Sequence, residues 1–422
     1  HAKPRNGGFG MKQTVRHGLG IALSAMAFLC NYSPWVREAT SLPDALTLTS
    51  GQKFVVQTGL PMLAASDGGT VSVLASQDER VTISAEAGGQ TSVTFSLLGL
   101  IPVHETRVNV VEERTLIPGG QAVGVALKTR GVLVVSDAAK GRALRAGDVI
   151  LSADGKNVES TKALSEQVGT AQTDTVRLEV LRGGQTITVD AQAEPDPSDG
   201  RRKLGVWVRD STAGVGTLTY IDPANQTYGA LGHAIVDADT GRLLAAREGA
   251  ILHASIVGVT KGQSGKAGEL KGNFLKAGEQ IGSLMENCEY GIYGVLDDMP
   301  ENLLYPQGLR AGARSAVHTG TASIIATVDA DGPQEYGVEI VRCFAQSEPS
   351  QKGMILRVTD ERLLEKTGGI VQGMSGSPIL QDGRIIGAVT HVYLSDATQG
   401  YGMYIEWMLE KSDAMDASEQ AV

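Results

Sequence analysis

The sharpest chemical signal in this 422-residue chain is a serine in a glycine-rich turn, Gly373-Met374-Ser375-Gly376-Ser377-Pro378. Glycines admit backbone conformations in which a hydroxyl stands beside unpaired N–H groups, here those of Gly373 and Ser375, which together would make an oxyanion hole. A serine hydroxyl is a poor nucleophile at neutral pH until a base takes its proton, so the turn demands a histidine from the same region. Four histidines qualify: His233, His253, His318 and His391. His233 is the first choice, because it lies among small residues in Tyr228-Gly229-Ala230-Leu231-Gly232-His233-Ala234, near the start of the region. His391 follows the serine on the same hairpin and reads as a strand residue. A carboxylate must then fix the imidazole tautomer, and Asp237, Asp239, Asp297, Asp298 and Asp360 all qualify by type. Local spacing gives Asp360 a different task. It stands between the apolar stretch Met354-Ile355-Leu356-Arg357-Val358 and Glu361-Arg362-Leu363-Leu364-Glu365-Lys366, where a helix N-cap belongs.

The elements that must position these groups are short strands. Gly numbers 53 and aromatics make up 5%, a composition that favours tight turns over long helices, so the expected fold class is mainly β. Hydrophobic residues at 42% and charged residues at 20% suffice for two or three packed cores. The formal net charge of −10 gives no general attraction to phosphate backbones and argues against nucleic acid as a partner. Cys30, Cys288 and Cys343 form no CxxC or Cys/His spacing, so neither a metal nor another cofactor is indicated, and Cys288 and Cys343 are expected as buried free thiols.

Four regions follow from the pattern. Residues 1–40 carry Lys12, Arg16 and His17 ahead of the apolar run Leu19–Cys30, the order of an export signal or membrane anchor. Residues 41–112 alternate β-rich stretches (70–74, 81–84, 91–97, 107–111) with turns. In residues 113–195, a strand at 131–135, the run Leu144-Arg145-Ala146-Gly147-Asp148-Val149-Ile150-Leu151, a helix near 160–168 and strands at 175–181 and 185–191 follow one another. Glu194–Lys203 reads as a charged linker, and residues 196–422 as a β-rich domain long enough for a double β-barrel.

Three resemblances rest on these residues. The third region, with "LRAGDVILSADGKNV" and "VRLEVLRGGQTITV", is similar to a PDZ domain. That similarity implies binding of peptide C-termini or extended segments at a sheet edge, with a carboxylate loop at Gly119, Gly120, Gln121, Ala122, Val123, Gly124 and Val125. The serine turn resembles the nucleophile motif of chymotrypsin-like peptidases. The chain as a whole, through "GALGHAI", "VTDERLLEKTGGIVQGMSGSPI" and "GAVTHVYLSDATQGYGMYIEWML", resembles the stage IV sporulation protein B (SpoIVB) peptidase family. This last resemblance implies a catalytic triad of His233, Asp360 and Ser375. It further implies a protease exported across, or anchored in, the forespore inner membrane and facing the intermembrane space. There it would cleave itself and a membrane-bound regulator of an intramembrane metalloprotease, releasing the processing of pro-sigma-K. Two other readings stand beside it: an inactive PDZ adaptor, and a quality-control protease of the Htr kind, in which PDZ follows rather than precedes the protease.

Overall fold

The computed structural model describes residues 42–58, 62–75, 80–136, 143–244, 246–274 and 280–419; the expected N-terminal signal or anchor lies outside them. Contacts divide the chain between Glu113 and Arg114. In the first unit, Ala45–Thr49, Ile101–Val111, Gly89–Leu97 and Met62–Ser66 form one sheet, and Lys53–Gln57, Arg80–Ala85 and Val71–Ala75 a second. Alternation along these strands turns Leu48, Val81, Ile83, Val93, Phe95 and Val108 into a common core.

The second unit is mainly β, as the composition suggests. Its principal strands are β1 (Ala122–Val134), β2 (Val149–Ala153), β3 (Thr175–Arg182), β4 (Gln185–Gln192), β5 (Val208–Ile221), β6 (Thr227–Ala230), β7 (Ala246–His253), β8 (Gln280–Cys288) and β9 (Gly291–Leu296). They continue with β10 (Gly320–Thr327), β11 (Pro333–Cys343), β12 (Met354–Val358), β13 (Pro378–Gln381), β14 (Arg384–Val392) and β15 (Gln399–Tyr404). Three α-helices are described: α1 (Thr161–Gly169), α2 (Glu361–Thr367) and α3 (Ile405–Glu419).

Pairing closes two antiparallel rings of six. The first runs β1-β5-β6-β9-β8-β7 and back to β1. The second runs β10-β11-β12-β15-β14-β13 and back to β10. Each ring has its own core, Val123, Leu127, Leu218 and Ile292 in one, Ile324, Ile340, Leu356 and Val389 in the other. Closure gives strands as short as β6 and β13 a partner on each side.

The PDZ fold is an insertion between two neighbouring strands of the first ring. β1 and β5 pair from Ala122 opposite Thr217 to Lys128 opposite Ser211, and again, after a break in register, at Leu133 and Val134 opposite Arg209 and Val208. Beyond Val134 the chain builds β2, α1, β3 and β4 around Val132, Ile150, Leu164, Val168, Val176 and Leu178, then returns along β5. Ser160 caps α1 by accepting from the Ala163 N–H.

Two expectations are corrected here. The Glu194–Lys203 stretch contains a short antiparallel pair, Glu194–Pro195 with Arg202–Lys203, and the following residues Leu204, Val206 and Val208 pack into the PDZ core. The segment expected as a carboxylate loop, Gly119, Gly120, Gln121, Ala122, Val123, Gly124 and Val125, belongs to the first ring instead. Its strand residues have β5 on one side and β7 on the other. A Cβ on Gly119 would lie 2.4 Å from the Leu218 carbonyl oxygen, and one on Gly120 would lie 2.2 Å from Ile325. Val123–Val125 are paired on both edges, and the Gly119 and Gly120 N–H groups are spent on the carbonyls of Thr219 and Leu218. Cys288 and Cys343 are both free and half-buried.

Candidate active site

The two rings carry one candidate group each to a shared cleft. After β6 the chain reverses through Leu231 and Gly232, whose φ values are 69° and 67°. A leucine rarely adopts the left-handed region, and here its side chain is seated where Gly216 leaves room. A Cβ on Gly216 would lie 1.9 Å from Leu231 Cδ2. This turn delivers His233, half-buried, with Nδ1 2.8 Å from the Ala234 carbonyl oxygen. A carbonyl only accepts, so Nδ1 carries the proton and Nε2 is left with its lone pair.

The serine turn leaves α2 through Gly368, a left-handed C-cap with φ of 75°. The fully buried Met374 anchors it, with its N–H donating to Val371 O and its carbonyl accepting from the Ser377 N–H. Gly373 and Gly376 both have φ of 96°, and a Cβ at Gly376 would lie 2.1 Å from the Thr217 carbonyl oxygen, so glycine is required there. Thr217 of β5 holds the turn from the first ring: its Oγ1–H donates to Gly373 O at 2.8 Å and its N–H to Ser375 O at 3.0 Å. The N–H groups of Gly373 and Ser375 donate to no group among the described residues.

His233, Gly373, Ser375 and His391 all line one cleft of about 670 Å³, walled by β5 residues Thr212–Val215 and by Ala234–Val236. The Ser375 hydroxyl donates to the Thr390 carbonyl at 2.9 Å rather than to an imidazole. His391, expected as a plain strand residue, turns its ring into the cleft, 5.4 Å between centroids from that of His233. No feature of its sequence neighbourhood announces this, since it follows from the register of β14 against β15. Burial pushes the His233 imidazolium below its ordinary 6.5, partly opposed by the bond to Ala234. Burial, then the neighbouring His233 and Lys352, push His391 down to about 4. Both rings are therefore neutral at pH 7.

Asp360 is not brought to this cleft, which corrects the expected triad. Its carboxylate accepts from the Arg362 N–H and the Gly337 N–H and is ion-paired with the Arg362 guanidinium at 2.7 Å. Arg362 foremost, with the two backbone donors, lowers its pKa to about 2 against the opposing effect of burial. It occupies the N-cap of α2 that its local sequence predicts. Asp237 is no substitute, being buried in an ion pair with Arg209 at 2.5 Å and in a turn closed by Thr240. His318 is paired with Asp382. Neither His253, Asp239, Asp297 nor Asp298 lines the cleft. Among the described residues no cluster of His, Cys, Asp and Glu could hold a metal ion.

Residues 200–409 match the family model described as SpoIVB peptidase S55, and residues 109–192 match that of a PDZ domain. Among solved structures, the PDZ domain of the SdrC-like protein from Listeria monocytogenes is 21% identical. The match covers 19% of this chain and 87% of that one, with a TM-score of 0.17. No curated protein matches the chain. With the nucleophile turn inside the first of these matches and a PDZ domain preceding it, the chain belongs to the SpoIVB peptidase family, a family of serine peptidases.

Proposed function

We propose that the protein is a sporulation signalling endopeptidase in which Ser375 attacks a peptide carbonyl and His233 is the base. The observation that carries this reading is the meeting of Ser375 and His233 in one cleft, each delivered by a different ring. Nδ1 of His233 is occupied by the Ala234 carbonyl, which presents Nε2 as the proton acceptor and does for the tautomer what a carboxylate does in a triad. From the resting bond to Thr390, the Ser375 hydroxyl must rotate towards the imidazole as substrate enters. The tetrahedral oxyanion is then met by the unpaired N–H groups of Gly373 and Ser375. His233 next gives its proton to the leaving amine, and water repeats the sequence on the acyl-enzyme.

The biological reading follows the family. The protein, exported across or anchored in the forespore inner membrane and facing the intermembrane space, cleaves itself and a membrane-bound regulator of an intramembrane metalloprotease, and so triggers processing of pro-sigma-K. The PDZ domain and the apolar N-terminal run support it, the first by binding protein segments and the second by its order of charge and apolar residues. Among the described residues no helix is long and apolar enough to cross a membrane.

The test is labelling by a fluorophosphonate together with N-terminal sequencing of the mature protein. Wild type is labelled at Ser375 and processed near its N-terminus. Ser375→Ala and His233→Ala abolish both while remaining folded by circular dichroism. Because His233 must be neutral to act and its pKa is lowered, the acid limb of kcat/KM lies below pH 6.5, and activity falls as pH drops through it. A folded wild type that resists the probe is an adaptor and not a peptidase.

A further inference from the structure

The first unit carries an apolar projection. Its strands Gly89–Leu97 and Ile101–Val111 are joined by a turn in which Leu98 and Gly99 have φ of 51° and 73°, and the Gly99 and Leu100 N–H groups donate to Ser96 O and Leu97 O. Two central residues at positive φ make a tight hairpin turn of the kind that asparagine and glycine favour, yet its first position holds a leucine. Leu98 is 65% exposed, Leu100 84% and Ile101 60%, and Val103 is exposed beside them. Leu63, also exposed, joins them from the neighbouring strand, close enough that a Cβ on Gly99 would lie 2.8 Å from its Cδ1. Between Glu86 and Glu105 there is no Asp, Glu, Lys or Arg. A group of aliphatic side chains is thus left facing water at one end of the sheet, where apolar surface calls for a partner.

We propose that this hairpin tip dips into a lipid bilayer, as a membrane contact separate from the N-terminal apolar run. This rests on that run being an export or anchoring segment, and not on the peptidase. The path of the chain points to the bilayer as occupant. Ala45–Thr49 runs parallel to Ile101–Val111 with Ala45 opposite Arg107, and just before it Pro43 O accepts from Thr106 Oγ1–H at 2.8 Å and lies 3.2 Å from His104 Nε2. Going back along the chain from Ala45 therefore leads towards Ile101, which lies about 10 Å beyond His104 on a strand. Eleven residues separate Leu42 from Cys30, the end of the apolar run, and they span at most about 40 Å. A bilayer that holds the run is within that distance of the end of the sheet from which the tip projects. The tip also suits lipid better than a protein groove, because it has no Trp, Tyr or Arg, the types that anchor protein interfaces. Its Gly99 and Leu100 N–H groups are bonded within the hairpin and Pro102 has none, so little backbone loses water on entry. Immersion of Leu98, Leu100 and Ile101 reaches about 5–10 Å, an interfacial depth far short of a span.

The test uses the full chain with a nitrobenzoxadiazole dye on Leu100→Cys, mixed with phosphatidylcholine vesicles; the dye-treated parent chain is the blank for Cys30, Cys288 and Cys343. On vesicle binding the dye emission shifts to the blue and is quenched by brominated lipid. The same dye on Glu112→Cys, exposed at the far end of the same strand, shows neither change. Leu98→Asn separates contact from fold. Asparagine suits this turn better than leucine, so denaturant unfolding shows stability kept or raised, while the inserted-to-free ratio of the tip falls about 10-fold, as loss of one buried leucine requires. Leu98→Met keeps the ratio. Unchanged insertion in Leu98→Asn overturns the proposal. A chain that floats with vesicles while its Leu100→Cys dye stays in water overturns the tip contact and leaves the anchor standing, whereas a chain that does not float overturns both. Dye emission already blue-shifted without lipid and unmoved by vesicles means that protein covers the tip, which overturns the proposal as well.

Discussion

Gly119–Val125 and Leu204–Val208 are both short runs of glycine and branched apolar residues next to the PDZ fold, and they are held in different ways. The first is enclosed. Val123–Val125 have strands on both sides, and Gly119 and Gly120 touch Leu218 and Ile325 so closely that a side chain has no room. The second is anchored by one face only. Leu204, Val206 and Val208 point into the PDZ core, while Trp207, 77% exposed, points out, with a single strand as neighbour. Position in the ring, more than residue type, decides which stretch is rigid and which has an edge to offer.

The largest effect on this contrast is expected at Gly120. Gly120→Val forces a branched side chain into Ile325 at a φ of 102°, and overpacking together with backbone strain costs about 3 kcal/mol or more. Denaturant unfolding should show it, with loss of peptidase activity. A soluble, fully active Gly120→Val would return this stretch to the PDZ surface. A smaller and more local effect is expected at Leu204, 7% exposed. Leu204→Ala costs about 2–3 kcal/mol and lowers hydrogen-exchange protection in α1 and β3 more than in the second ring. Equal loss in both would erase the distinction. The smallest is expected where a single carboxylate holds a helix end. Asp360→Ala loses about 1 kcal/mol of capping, whereas Asp360→Asn, an equally good cap, keeps the fold and most of the activity. The folded carboxylate, at about 2, contributes stability present above the ordinary value of 3.8 and lost as pH falls from there towards 2, a dependence that Asp360→Asn removes. Complete loss of turnover in Asp360→Asn would make it the group that orients His233.

What the sequence made legible was local. The Ser375 turn shows itself through glycines needed at φ of 96°, the cap of α2 through Asp360 before an amphipathic run, and the PDZ hairpin through Arg182-Gly183-Gly184. Pairing between distant segments was not legible. Nothing in Gly119–Val125 says that its neighbours are Thr212–Thr217 and Ala246–His253, because glycine and valine suit a binding loop and a barrel strand alike. The charged Glu194–Lys203 stretch concealed that the apolar residues after it finish the PDZ core, and the ring of His391 enters the cleft only because β14 and β15 are paired as they are.

The insertion of the PDZ fold between β1 and β5 bears on how the protein is made. On a ribosome, the strand that opens the first ring emerges long before its partner, with residues 135–207 in between, and a disordered loop of that length would make their meeting entropically slow. Once that stretch collapses, Val134 and Val208 become adjacent, and the remaining pairs can zip from there towards Ala122 and Thr217. The inserted fold thus holds together two strands that the sequence keeps far apart.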